Sequence, residues 1–474
     1  MQNKDLNFVI PTYRLRDAGE TIEAYDKNFF CNGHSPKIFL FDDSSLGVHE
    51  KYYPMLEQTK THSPIYYVGP KEKEQFIIYL SQRLGDKKLE SIVRNLFRPS
   101  YGGNRNFSLI YTLGNLVVSA DDDMRPYGLV EDSVESLREH EISRGKLMKR
   151  TEGGFAPKSF DILSTFIDVL GKKVSDLPPT FLRGELLNDT AMHLETNATK
   201  GAFRENSLLL EHGPVANESV VKIAQTFRSG TNDIDAIDFI ELYLADDTQM
   251  SIDELNDVYV LVNFRPVVTN KNWRMDCGVA GYDNSLGLPP FFPTRLRFED
   301  YIYRLWIQQD NIVAAHVDSA QHHMKNNYMR NPLASEIFNE ELANLLKKKI
   351  KRSISNLDDL SISFDYDGEV TAQDTEEILP RIREIYHRVL NSAKSTVIDE
   401  RKNNLRAFAI GLERTFYNFE PDFFQQNVAR IVDDVISQIK SSIELWPALV
   451  EICYLQKHRK GLPQTLVKNV KALH

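Results

Sequence analysis

The stretch Leu116-Val117-Val118-Ser119-Ala120-Asp121-Asp122-Asp123-Met124-Arg125-Pro126 decides how this chain is read. Its apolar, partly β-branched start suits a short strand covered on both faces. Three acids then stand at the C-terminal end of that strand, where open α/β sheets bind ligands. Neighbouring like charges repel, and the repulsion is costly unless a cation offsets it. Hard carboxylate oxygens suit Mg²⁺ or Mn²⁺, and such ions keep water and substrate phosphates as their other ligands. A solvated acidic turn after a strand is the plain alternative, so the triplet suggests a metal–diphosphate site without establishing one.

The residues before it alternate strand and helix signals. Asn7-Phe8-Val9-Ile10 reads as a strand ending at Pro11-Thr12-Tyr13. Lys37-Ile38-Phe39-Leu40-Phe41 is a second, ending at Asp42-Asp43-Ser44-Ser45, and Ile65-Tyr66-Tyr67-Val68 a third, before Gly69-Pro70. Helical patterns at 18–28, 72–84 and 103–114 separate them, which argues for a mostly parallel, Rossmann-like α/β sheet. From 130 to 255 the pattern weakens, and Thr151-Glu152-Gly153-Gly154 and the stretch 185–205 read as loops or an inserted subdomain. Val258-Tyr259-Val260-Leu261-Val262 reads as a return to the core, followed by a Gly- and Pro-rich segment at 278–293 and a helix at 298–308. Asn331-Pro332 marks a boundary. Beyond it helical periodicity dominates, at 335–356, 374–397, 400–417 and 421–444. The expectation is an α/β catalytic domain over 1–330, with an insertion at about 135–250, and an all-helical domain over 331–474.

The 474 residues are 42% hydrophobic and 26% charged, ample for a real core. A net charge of −10 argues against a nucleic-acid partner. Cys31, Cys277 and Cys453 form no ligand pattern and no disulfide framework. The N-terminus lacks the apolar region of a secretory signal, and no run approaches the ~18 apolar residues of a membrane span. A cytoplasmic protein without a transmembrane segment is expected.

Taken together, the N-terminal motifs resemble those of the GT-A nucleotide-sugar glycosyltransferases, particularly family 2. Val9-Ile10-Pro11-Thr12-Tyr13 is similar to that family's first strand and nucleotide-binding loop. Phe41-Asp42-Asp43-Ser44-Ser45 is similar to its second-strand motif, whose aspartate contacts the base or ribose. Gly102-Gly103-Asn104-Arg105-Asn106 resembles its Gly-x-x-Arg-Asn helix start beside the nucleotide. Asp121-Asp122-Asp123 stands where the DxD metal motif belongs, with Asp121 and Asp123 as the outer pair. Each match is short; the signal lies in four of them in the family's order.

Arg297-Phe298-Glu299-Asp300-Tyr301 resembles the family's Glu-Asp segment, which opens a helix and supplies the catalytic base. Acids in a helix's first turn are favoured by the macrodipole, which keeps a carboxylate ionised. Asp300 is the first choice for base and Glu299 the second. Gly278-Val279-Ala280-Gly281-Tyr282-Asp283 resembles the approach to the acceptor pocket. His322-His323 falls where some GT-A enzymes place a histidine on the metal or the diphosphate; a surface histidine pair is the other reading, and both stand.

The resemblance implies a Mn²⁺- or Mg²⁺-dependent, inverting hexosyl transfer from a nucleoside-diphosphate sugar, UDP-sugar first. The acceptor hydroxyl would belong to a glycan, a lipid-linked sugar or a protein. The gap between Asp123 and Glu299 is longer than in family members, and no Gln-x-x-Arg-Trp motif follows the Glu-Asp pair, so a processive synthase is not expected. The rivals are a sugar-nucleotide pyrophosphorylase-like nucleotidyltransferase, for which no Gly-rich N-terminal loop is found, and an inactive GT-A module that binds a sugar or a partner. Residues 331–474 carry no site-like constellation and are read as serving packing, oligomerisation or acceptor delivery. The basic, acid-free segment 457–474 is either a solvated terminus or a dock for anionic lipid headgroups.

Overall fold

In the computed structural model the alternating pattern gives four strands, β1 (Leu6–Thr12), β2 (Lys37–Asp42), β3 (Ile65–Val68) and β4 (Leu116–Ala120). The structure describes residues 5–130, 136–149, 156–186, 205–211, 215–226, 231–232, 244, 258–270, 275, 277–293, 299–300, 303–304, 307, 312–319, 321–324, 331–354, 362–366, 371–376, 378–460 and 468–470. The four strands run parallel in the order β3-β2-β1-β4. The strand order therefore reverses between β1 and β4, the kind of switch point outside which α/β sheets bind ligands.

Successive residues alternate between the two faces of the sheet. Phe8 and Ile10 join one buried cluster and Val9 the other. Both faces are covered, which is why these strands read as unbroken apolar runs. Helix Leu15–Cys31 buries Ala18, Ile22, Tyr25 and Phe29, a stripe at helical spacing, against Phe8 and its neighbours. Helix Tyr101–Tyr111 is buried along most of its length. Its Phe107, Leu109 and Ile110 share one cluster with Val9, Phe41 and Val117, and also with Trp446, Leu449, Val450 and Cys453.

Beyond β4 the sheet continues to ten strands: Val279–Asp283, Ile223–Thr226, Ala314–Val317, Val267–Thr269 and Leu182–Arg183 on that side, and Lys468–Val470 beside β3 at the far edge. Val258–Phe264 does not return to this core. It pairs with Glu141–Lys149 in a separate four-stranded antiparallel sheet, with Glu205–Glu211 and Glu185–Leu186. Periodicity identifies a strand but not the sheet it joins. The place it was expected to take is held by Val279–Asp283 and by Ile223–Thr226, so the segment read as an insertion is partly woven into the central sheet. Most of the stretch 185–205, and all of Thr151-Glu152-Gly153-Gly154, lie outside the described residues.

The C-terminal region is helical, through Asn331–Lys349, Ile378–Ser395, Asp399–Phe419, Arg430–Glu444 and Trp446–Lys460. It is not all-helical: Ile350–Ile354 and Ile362–Tyr366, rich in β-branched and aromatic residues, form an antiparallel pair. Nor does it stand apart. The Trp446 indole Nε1 donates to the Leu288 carbonyl at 2.9 Å, and Asn95 Nδ2 donates to Ser442 Oγ at 2.9 Å. Of the segment 457–474, Lys468–Val470 is an edge strand; residues 461–467 and 471–474 lie outside the described ones. Among the described residues no helix is long and apolar enough to cross a membrane.

Candidate active site

Segments far apart in sequence meet at the carboxyl ends of β1, β2 and β4. The Asp43 amide donates to the Thr12 carbonyl at 2.8 Å, joining the ends of β1 and β2. The Thr12 hydroxyl, itself buried, donates to Asp122 Oδ2 at 2.6 Å, joining β1 to the acid triplet. Asp43 accepts from the Ser100 amide at 3.3 Å and from the buried Lys73 ammonium, which also donates to Asn104 Oδ1 at 2.7 Å. Ser100 caps helix Tyr101–Tyr111 by accepting from the Gly103 amide at 3.0 Å. A Cβ on Gly102 would lie 1.8 Å from the Phe292 carbonyl oxygen, so only glycine lets this helix start seat against the loop at 291–293.

That seat aims Arg105 inward. Its guanidinium, 6% exposed, donates to Asp121 Oδ1 at 2.7 Å and to Glu299 Oε1 at 3.2 Å, and Nη1 reaches the Cys277 carbonyl at 3.4 Å. Withdrawal from water pushes the Asp121 carboxyl up to about 7 against the pull of Arg105, and Asp123, Glu299 and Asp122 add repulsion. Residues 299, 300, 303, 304 and 307 are helical, in keeping with the expected helix there. Glu299 is buried against Arg105, whereas Asp300 is partly exposed.

The third acid is completed from far along the chain. His322–His323 pairs antiparallel with Met124–Arg125, His323 facing Met124. His323 Nε2 thereby lies 3.0 Å from Asp123 Oδ2 across 200 residues of sequence. The His323 backbone is held in turn by Asn232, whose Oδ1 accepts from its amide at 2.7 Å and whose Nδ2 donates to its carbonyl at 2.9 Å. His322 stacks on Tyr127 with centroids 5.0 Å apart. Arg14 contacts Asp122 and lies 2.8 Å from Asp123 Oδ2. Burial opposes ionisation of Asp123, but His323 and Arg14 outweigh it and hold the carboxyl well below the usual carboxylate range. Burial raises Asp122 against the attraction of Arg14.

Other sequence candidates sit in the scaffold. Asp42 is fully buried and accepts from Ser44 N at 2.7 Å, Ser44 Oγ at 2.8 Å and Tyr67 OH at 2.8 Å, which shapes the turn after β2. Asn106, also fully buried, clamps the Phe291 backbone through both ends of its amide at 2.6 and 3.0 Å. Pro11 is partly buried and Tyr13 is 53% exposed. Arg14, Thr21 and Lys73 were not singled out by the sequence reading. Arg14 directly follows the Pro11-Thr12-Tyr13 loop, and that position is the sequence signal for it. Thr21, whose hydroxyl donates to the Asp122 carbonyl, gave none.

One pair of side chains here, His323 and Asp123, has donor atoms suited to a divalent cation; in the structure the two are hydrogen-bonded to each other. The 3.0 Å between His323 Nε2 and Asp123 Oδ2 is the spacing of adjacent ligands on a six-coordinate ion with bonds of ~2.1 Å. Among the described residues no three His, Cys, Asp or Glu side chains gather to hold a metal. No protein-family model matches the chain, and neither the curated proteins nor the solved structures give a match.

Proposed function

We propose that this chain is a metal-assisted, inverting glycosyltransferase that moves a sugar from a nucleoside diphosphate, UDP-sugar first, to an acceptor hydroxyl. One observation carries the reading: the acid triplet at the β1/β4 switch point is joined by His323 on one side and, through Arg105, by Glu299 on the other. The exposed Tyr13 ring offers a flat face to the base. Asp123 and His323 would hold the cation, and a nitrogen among the donors favours Mn²⁺ over Mg²⁺. When bound, it would offset the charge growing on the departing diphosphate.

Asp300 then takes the acceptor proton while the acceptor oxygen bonds to the anomeric carbon. The bond from that carbon to the diphosphate oxygen breaks, and its electron pair leaves with the diphosphate. Glu299, held by Arg105, is the worse placed of the two acids for this step. A glycan, lipid-linked sugar or protein could supply the hydroxyl. A sugar-binding module without turnover is the second reading, supported by the protein cations that already face all three acids.

A thermal-shift panel of UDP-, GDP- and CMP-sugars, with and without Mn²⁺, tests the proposal, because a ligand that binds the native state raises its stability. A metal-dependent shift that Asp123→Ala removes is the expected result. No shift with any sugar nucleotide would overturn it.

A further inference from the structure

We propose that Arg14 is a diphosphate-binding residue, held on the acid triplet until a cation displaces it; this rests on the metal–diphosphate reading above. Arg14 Nη2 lies 2.8 Å from Asp123 Oδ2, the same oxygen that His323 approaches at 3.0 Å. A guanidinium and a divalent cation cannot share one carboxylate oxygen at these distances without strong repulsion. A cation on Asp123 and His323 therefore evicts Arg14 from Asp123, while the Thr12 hydroxyl remains on Asp122 at 2.6 Å.

The evicted side chain can move. It is 32% exposed, against 7% for Arg105; once off Asp123 it keeps its hydrogen bond to Asp122 at the edge of the triplet, with Asp17 3.6 Å away. It starts in contact with Asp123, so a diphosphate on that cation lies within its reach. The planar fork of a guanidinium matches phosphate oxygens in a way a lysine cannot. The same charge thus neutralises the triplet in the empty protein and the leaving group in the loaded one.

The proposal predicts effects of opposite sign, measured by calorimetry on the full chain. Arg14→Gln should bind Mn²⁺ alone at least about tenfold more tightly than wild type, the worth of one charge-assisted hydrogen bond. With Mn²⁺ saturating, it should bind UDP about tenfold more weakly, with uridine affinity unchanged. A merely structural defect would weaken all three. Should Arg14→Gln fail to fold, Arg14→Lys carries the test: UDP weakened with uridine unchanged supports the proposal, and UDP unchanged overturns it. Arg14→Gln that matches wild type, or binds Mn²⁺ more weakly, overturns the proposal alone. Wild type that binds neither Mn²⁺ nor UDP overturns the functional reading as well.

Discussion

His323 and Asp123, 200 residues apart in sequence, face each other at 3.0 Å because Met124–Arg125 and His322–His323 pair as strands. His323→Ala removes one of the two protein ligands proposed for the cation. Its Mn²⁺ affinity, measured by calorimetry with UDP present, should fall by at least the ~10–100-fold that losing even an outer partner of a metal site costs. Unchanged affinity would place the metal elsewhere.

Asp300→Asn keeps size and hydrogen bonding but cannot accept a proton. Sugar transfer should drop by ~10²–10⁴-fold, with UDP affinity within a few fold of wild type. Glu299→Gln weakens the partner of Arg105 and should disturb donor binding instead. A reversed outcome, with Glu299→Gln inactive and Asp300→Asn normal, would exchange the two roles.

Trp446 is buried among Leu449, Val450 and Leu288 and takes no part in the proposed chemistry. Trp446→Ala should lower unfolding stability by ~3–5 kcal/mol in urea titrations. A fragment ending at residue 330 lacks this side chain and should not unfold cooperatively. Cooperative unfolding of that fragment at wild-type stability would contradict the packing described above.

The legible parts of the fold were those with strong local pattern. β1 to β4 fall within two residues of where apolar runs bounded by polar turns put them, and the helices near 378–395 and 399–419 follow their periodicity. The other half of the sheet was not legible. Ala314-Ala315-His316-Val317 is a fully buried strand built on small residues and a histidine, and Ile223-Ala224-Gln225-Thr226 carries two polar side chains. Neither alternates or runs apolar, because neighbouring elements rather than their own sequence decide that they are covered. At the site, the acids, Arg105 and His323 could be named from sequence, but not the other two cations opposite the acids. Arg14 and Lys73 belong to the cluster only through strand order.

Gly102→Ala places a methyl group where the Phe292 carbonyl stands. Either the start of helix Tyr101–Tyr111 or the facing loop must shift, at a cost of ~1–3 kcal/mol or more. Arg105, three residues on, should then lose its joint hold on Asp121 and Glu299. Weaker UDP binding together with a lower melting temperature is expected; wild-type values for both would show that the close approach is dispensable.

Burial lowers His316 to about 3. The imidazole is thus neutral in the folded chain, while an unfolded one titrates near the ordinary histidine value of 6.5. Between those values the unfolded state binds more protons, so this residue makes stability rise with pH from 3 to 6.5 and level off above. His316→Gln should flatten that rise in urea midpoints measured at about pH 4, 5, 6 and 7. An unchanged slope would mean that other groups govern it.

Strand Lys468–Val470 pairs with β3, which ends at Val68. During synthesis, β3 has its outer edge uncovered until residue 470 is made. At ~5–20 residues per second that interval is about 20–80 s. An open strand edge is a template for pairing with another chain, so the nascent protein depends on whatever shields Ile65–Val68 on the ribosome, and a mutation that only weakens the last strand would be felt first as lower yield from cells and only later as lower activity.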